Sequence, residues 1–171
     1  MANNTKKVVL NGIISAIVVL CLFFAAIMPT GKLSFYALSS FFVSVIIIEY
    51  GTKSGWFFYI LTNLVAFILI PDKIRIIPYT VFFGAYGIIK YYIEKLNNIV
   101  LEYIIKYIYF NACLAAAVIL FKEIIADNAI TADIKFPLWA GIILLEVIFI
   151  LYDYVYTLFI QYYRQKLKRY L

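Results

Sequence analysis

Six apolar runs, each close to the ~20 residues a helix needs to cross a bilayer, divide this chain almost from end to end. They lie at about 8–28, 33–50, 54–70, 76–93, 100–121 and 136–160. Pro29-Thr30-Gly31, Gly51 and Pro71-Asp72 stand between runs, where proline and glycine end helices. The runs are continuous rather than alternating, so they do not read as barrel strands. With 66% hydrophobic residues and only 14% charged, against about 25% charged in average usage, a soluble fold of this size has nowhere to hide its apolar surface. The remaining solvent is lipid. The sequence therefore predicts an all-α integral membrane protein: a single domain over 1–171, folded as a six-transmembrane-helix bundle in contact with the lipid bilayer. The second, third and fourth runs are short, and a five-span arrangement is the alternative. The first run follows Lys6 and Lys7 but exceeds the ~7–15 apolar residues of a secretory signal, so it reads as a retained span.

Lysine and arginine set the orientation. With six spans both termini share a side, and that side holds Lys6, Lys7, Lys53, Lys90, Lys95, Lys106, Arg164, Lys166, Lys168 and Arg169. The other side holds Lys32, Lys73, Arg75, Lys122 and Lys135, half as many. Both termini are expected in the cytoplasm, with the chain multi-pass in the cell membrane. Tyrosines gather near the predicted inner ends, among them Tyr91, Tyr92, Tyr103, Tyr107, Tyr152, Tyr154, Tyr156, Tyr162 and Tyr163, as an interfacial aromatic belt does.

Several function classes drop out on chemistry. The net charge is +6, but the basic residues flank apolar runs instead of forming a stripe, so no nucleic-acid footprint is present. The chain has no histidine, which removes the commonest general base and metal ligand. Cys21 and Cys113 sit inside apolar runs without CxxC spacing and read as small buried thiols. No phosphate-binding GxxxxGK[ST] loop occurs. No catalytic set, metal site or cofactor is expected, and the chain does not read as an enzyme.

Polar residues inside apolar runs each need a partner or a role. Asn11, Asn63, Lys90, Asn111, Glu146 and Asp153 are such residues. Glu146 and Asp153 lie seven residues apart, almost two helical turns, and so share a face. Lys90 and Asp153 fall at similar depth and are expected to form a structural ion pair. Asn63, Asn111 and Glu146 fall near mid-span and are the candidate substrate-binding cluster; interhelical hydrogen bonding is the competing role. Glu49, at a span end, can snorkel. Gly12 and Ala16, four residues apart with Ser15 beside them, make a smooth patch where a partner helix can approach. Gly84 and Gly87 make a second such patch or a flexible break.

The basic N-terminus, the motif Gly12-Ile-Ile-Ser-Ala16, a proline-containing hairpin loop and the stretch ALSSFFVSVIIIEYGTKSGWFFYILTNLVAFIL from Ala37 to Leu69 are similar to the substrate-capture (S) components of energy-coupling-factor vitamin transporters. The resemblance covers about residues 5–95. In that family a Gly-x-x-x-Gly turn joins the second and third spans, which is Gly51 to Gly55 here. The resemblance implies a small-molecule ligand held toward the outer face, under the loop from Pro29 to Leu33. It further implies that Gly12 and Ala16 contact a transmembrane coupling subunit with its ATPases. The family's paired alanines appear here as glycine and alanine, and no vitamin-specific signature is present. Two readings of function stand: the substrate-binding subunit of an uptake transporter, or a non-transport membrane scaffold of cell-shape or envelope assembly.

Overall fold

The computed structural model describes residues 2–127 and 138–167, with side chains described within 8–119 and 141–165. Six helices carry the chain: α1 (Ala2–Ile27), α2 (Lys32–Tyr50), α3 (Thr52–Leu69), α4 (Gly84–Glu94), α5 (Ile99–Asp127) and α6 (Leu138–Tyr162). The sequence-based positions of Lys6, Lys7, Lys122, Lys135, Lys166, Lys168 and Arg169, and the start of the sixth run, lie outside the described side chains. All six helices, α4 together with the helical turns from Lys73 that lead into it, are long and apolar enough to cross a membrane. Their outward faces carry large apolar side chains along most of their length, including Ile13, Phe57, Leu64, Ile108 and Leu144. That is far more apolar exposure than monomeric soluble proteins tolerate.

The segment before α4 is irregular for a local reason. Asp72 accepts from the Ile74 amide and pairs with Arg75 Nε at 2.7 Å, which caps a 3-10 turn, Lys73–Ile76. Pro78 cannot donate an amide, and the chain passes through a π-helical turn, Tyr79–Phe83, before settling into α4. The whole of Lys73–Glu94 still spans one membrane-crossing length. The fourth predicted run is therefore one continuous helical passage.

α2 is the hub, packing against α1, α3, α4 and α6. Ser39, Ser40 and Ser44 are buried on it, and small side chains let neighbouring backbones come close. Gly51 alone separates α2 from α3, with φ 83° and ψ 171°; the left-handed φ suits glycine, which has no Cβ to clash. Gly55 follows directly, and a Cβ there would run into the Ile47 side chain. α1 lies across α2 and α3, tied at one end by Arg75, whose guanidinium donates to the Ala26 carbonyl. α5 stands on α4 and the preceding turn.

Gly84 and Gly87 are not a flexible break. Both are buried, and a Cβ on Gly84 would sit 2.8 Å from the Tyr59 ring. One on Gly87 would strike the Tyr156 hydroxyl and lie 3.0 Å from Ser44 Oγ. They are close-approach points where α4 meets α2, α3 and α6. The predicted tyrosine belt divides as well. Tyr91, Tyr92, Tyr103, Tyr154 and Tyr162 are exposed, but Tyr156 and Tyr163 are buried and Tyr152 half-buried. The inward rings have polar partners: Tyr156 donates to the Ser40 carbonyl at 2.9 Å and shares a 2.7 Å bond with Ser44, and Tyr163 reaches Glu49 at 3.3 Å.

Candidate functional site

Two features stand out: a closed ring of charge joining α4, α5 and α6, and an apolar groove between α2 and α6. Lys90 is fully buried. It stands one helical turn before Glu94 and meets that carboxylate at 2.9 Å. It also contacts Asp153 of α6 directly and donates to Thr157 Oγ1 at 2.8 Å. These three bonds use every proton of an ammonium group. Lys106 of α5, also buried, reaches Asp153 at 3.1 Å and Glu94 at 3.5 Å. The four groups therefore alternate in sign around a closed circuit: Lys90, Asp153, Lys106, Glu94 and back to Lys90. Asp153 takes a further hydrogen bond from the Tyr86 hydroxyl at 2.5 Å. Two cations and two anions cancel, so the ring carries no net charge, and each member has opposite charge on both sides. Opposite charge on both sides offsets part of the desolvation cost of the three buried members, while Glu94 remains partly exposed.

The ring brings together Lys90 and Asp153, the pair expected from depth, but neither is a two-body partner. Lys106 and Glu94 complete the circuit. The sequence reading places Lys106 only among the inner-side charges and does not single out Glu94. Spacing held part of the signal: Lys90 and Glu94 are i, i+4 on one helix face.

The candidate binding cluster separates into two. Asn111 Nδ2 donates to Glu146 Oε1 at 2.9 Å and to the Tyr107 carbonyl at 3.0 Å. Asn63 is engaged elsewhere, donating to the Tyr59 carbonyl at 2.8 Å and accepting from Thr80 Oγ1 at 2.6 Å. Asn63 thus fastens α3 to the turn before α4, while Asn111 and Glu146 bridge α5 and α6. None of the three lines the groove between α2 and α6. Equal depth did not imply contact, because the residues face different sides of the bundle. Glu146 Oε2, Asn11 Oδ1 and Ser15 Oγ are buried without a hydrogen-bond partner among the described residues. Gly12 and Ala16 are exposed on α1, and a Cβ added at Gly12 meets nothing within 4 Å.

The groove has a volume of about 670 Å³, within the usual range of ligand pockets, about 300–1,000 Å³. One wall is α2 from Leu33 to Phe41, and the other is α6 from Leu145 to Val155. Phe82, Phe83 and Phe110 close the back. The floor is a connected set of rings: Phe41 stacks on Tyr152 at 6.4 Å, and Phe110 stacks on Phe149 at 4.5 Å. The Tyr152 hydroxyl is spent on Ser40 Oγ at 2.9 Å. Ser34 is the other hydroxyl in the lining. A smaller cavity of about 340 Å³ lies between α5 and α6, beside Lys106 and Asp153.

Comparison of the chain with protein-family models, with curated proteins and with solved structures found no match.

Proposed function

We propose that this chain is a membrane-embedded substrate-capture subunit of a small-molecule uptake transporter, with the α2–α6 groove as its binding site. The groove is the observation that carries the reading: a cavity of ligand size whose mouth adjoins the Pro29–Leu33 connection, where the resemblance to transporter S components puts a ligand. Lipid surrounds the bundle in this reading, both termini face the cytoplasm, and the groove belongs to the outer half of the bilayer. The lysine and arginine count supports that orientation. Gly12 and Ala16 suit contact with a coupling subunit, because both lie on the outward side of α1 and leave it smooth. Energy comes from that partner's ATPases, since the chain has no phosphate-binding loop of its own.

The test is co-expression with the ATP-driven coupling module of the host, followed by capture on a tag on this chain. ATPase subunits are expected to co-purify with the wild type, and Gly12→Phe together with Ala16→Phe is expected to release them without unfolding the bundle. Recovery of neither an ATPase nor a bound small molecule would remove the basis of the proposal.

One observation favours a scaffold instead: the interior polar groups are largely spent on one another. The ionic ring, the Asn63–Thr80 bond and the Asn111–Glu146 bond all join helices. A scaffold would keep a fixed set of protein neighbours in the envelope whether or not the groove is filled. In-cell crosslinking that captures cell-shape proteins, with no effect from filling the groove by Ala37→Trp, is the outcome this second reading expects.

A further inference from the structure

The cavity between α5 and α6 differs from the groove in having charged walls. Its volume is about 340 Å³, and Lys106 and Asp153 line it beside Thr157. Both charged residues are more than nine-tenths buried. Ile150, Leu151 and Tyr154 also line it and are exposed, so the cavity opens sideways, toward lipid in a bilayer. Lys106 stands about two turns after Ile99, the start of α5, which is roughly 10 Å along the helix axis. A molecule held there would sit inside the apolar layer. Lipid tails reach the same place, but they carry no polar group with which to engage a lysine.

The bonds around the cavity decide what it can recognise. Both Asp153 oxygens are taken: Oδ1 accepts from Tyr86 and Lys90, and Oδ2 accepts from Lys106. Thr157 Oγ1 accepts from Lys90 and donates to the Asp153 carbonyl. An incoming cation therefore finds no free carboxylate oxygen in the lining. Lys106 is different. An ammonium group has three protons, and the contacts to Asp153 and Glu94 account for two. One N–H is left without an acceptor among the described residues. The hydroxyls of Tyr103, Tyr107 and Tyr154, in the same lining, also have no hydrogen-bond partner among the described residues. The cavity thus offers donors. An anion would satisfy them but would leave the ring, balanced at two charges of each sign, with a net negative charge in a poorly solvated interior. A neutral acceptor satisfies them without that imbalance. The walls add a shape. Tyr103 and Tyr107 come from α5, Phe149 and Tyr154 from α6, and Tyr107 meets Phe149 edge-on at 5.9 Å. Rings on both helices suit a flat aromatic guest, which can stack on them or meet them edge-on.

We infer that the α5–α6 cavity is a second binding site, for a membrane-dissolved aromatic compound bearing a neutral carbonyl, the chemistry of a quinone or an aryl ketone. The carbonyl oxygen accepts from Lys106 and a tyrosine hydroxyl, and the ring lies among Tyr103, Tyr107, Phe149 and Tyr154. The ionic ring then does more than join helices: it holds Lys106 charged and aimed at the cavity while cancelling the field that would draw in an anion. The inference is independent of the α2–α6 groove and of the transporter reading, since it rests on different residues.

The experiment uses the full chain reconstituted in phosphatidylcholine vesicles and a photoreactive azido-methylnaphthoquinone, with labelled residues located by mass spectrometry. Three unlabelled competitors share the two-ring skeleton: menadione with neutral carbonyls, 2-methylnaphthalene with none, and 2-naphthoate with an anionic carboxylate. Labelling is expected at 103–107 and 149–157, displaced several-fold more effectively by menadione than by either of the others. Lys106→Met combined with Glu94→Gln removes the donor and keeps the remaining Lys90–Asp153 pair balanced; menadione should then displace no better than 2-methylnaphthalene. Ile150→Trp, at an exposed lining position outside the ring, fills the cavity and keeps the test decisive should the double variant fail to fold. It is expected to reduce labelling several-fold with the helical circular dichroism unchanged. Equal displacement by menadione and 2-methylnaphthalene overturns recognition of the carbonyl. Stronger displacement by 2-naphthoate overturns the preference for a neutral guest. Labelling that no competitor displaces, or that Ile150→Trp leaves unchanged, assigns the cavity to bulk lipid and overturns the site.

Discussion

Asp153 is the residue whose loss the ring should tolerate least. Its carboxylate receives Tyr86, Lys90 and Lys106, and it is only 8% exposed. Asp153→Asn keeps the shape and an acceptor for Tyr86 but removes the charge. Two buried ammonium groups then share Glu94 alone, with a net charge of +1 in the interior. Removing one partner from a buried ion pair costs about 3–5 kcal/mol, whereas replacing both partners with neutral groups is often close to neutral. Asp153→Asn is therefore expected to cost about 3–5 kcal/mol. Adding Lys90→Met should recover most of that loss, because Lys106 and Glu94 remain as a balanced pair. The ring makes a sharper claim about reversal. Combining Lys90→Asp with Asp153→Lys would restore an isolated pair. Here the exchange sets the new carboxylate beside Glu94 and the new ammonium group beside Lys106. The exchanged protein, net neutral, should be more stable than either single reversal but well short of the wild type, and only reversal of all four residues restores alternation. The assay is reversible unfolding in mixed micelles by titration with dodecyl sulfate, followed by circular dichroism. The expected single-variant loss is about two to four powers of ten in the folding constant. A loss under about 1 kcal/mol, the size of an exposed pair, or full rescue by the two-residue exchange, would refute the ring.

Other outcomes follow from the packing. Gly87→Ala should destabilise by about 1–3 kcal/mol, as overpacking does, because the Tyr156 hydroxyl it meets is held by Ser40 and Ser44. Gly12→Ala, facing open space, should change stability by no more than about 0.5 kcal/mol; the same micelle titration compares the two. Tyr156→Phe should cost about 1–3 kcal/mol by leaving Ser44 and the Ser40 carbonyl short of a buried partner, with the thermal midpoint in detergent as readout. Asn63→Leu should loosen the chain before α4, seen as faster amide exchange at 73–83, while Asn111→Leu leaves that segment unchanged.

The helices were legible in the sequence because length and continuous apolarity are one-dimensional properties. The Lys90–Asp153 contact was legible for a related reason: depth along a helix axis can be counted from the sequence. What could not be counted was azimuth. Asn63 shares its depth with Asn111 and Glu146 but points toward Thr80, on another side of the bundle. Lys106 and Glu94 were hidden differently, since a lysine or glutamate near the end of an apolar run looks the same in sequence whether it snorkels or turns inward. The groove left no mark, because the phenylalanines that floor it are indistinguishable in sequence from those that face outward. Gly84 and Gly87 announced that something small was needed, but not that Tyr59 and Tyr156 were the reason.

The single-residue joint at Gly51 has a consequence for biogenesis. With α2 ending at Tyr50 and α3 starting at Thr52, no loop exists between them to carry topogenic charge, and Lys53 already belongs to the first turn of α3. In a bilayer the two helices would have to leave the insertion machinery as one closed hairpin. Its orientation would then be dictated by the first span, against the pull of Lys32, Lys73 and Arg75 at its open end. The hub of the bundle would thus be delivered preassembled, and α1, α4 and α6 would dock onto a finished unit.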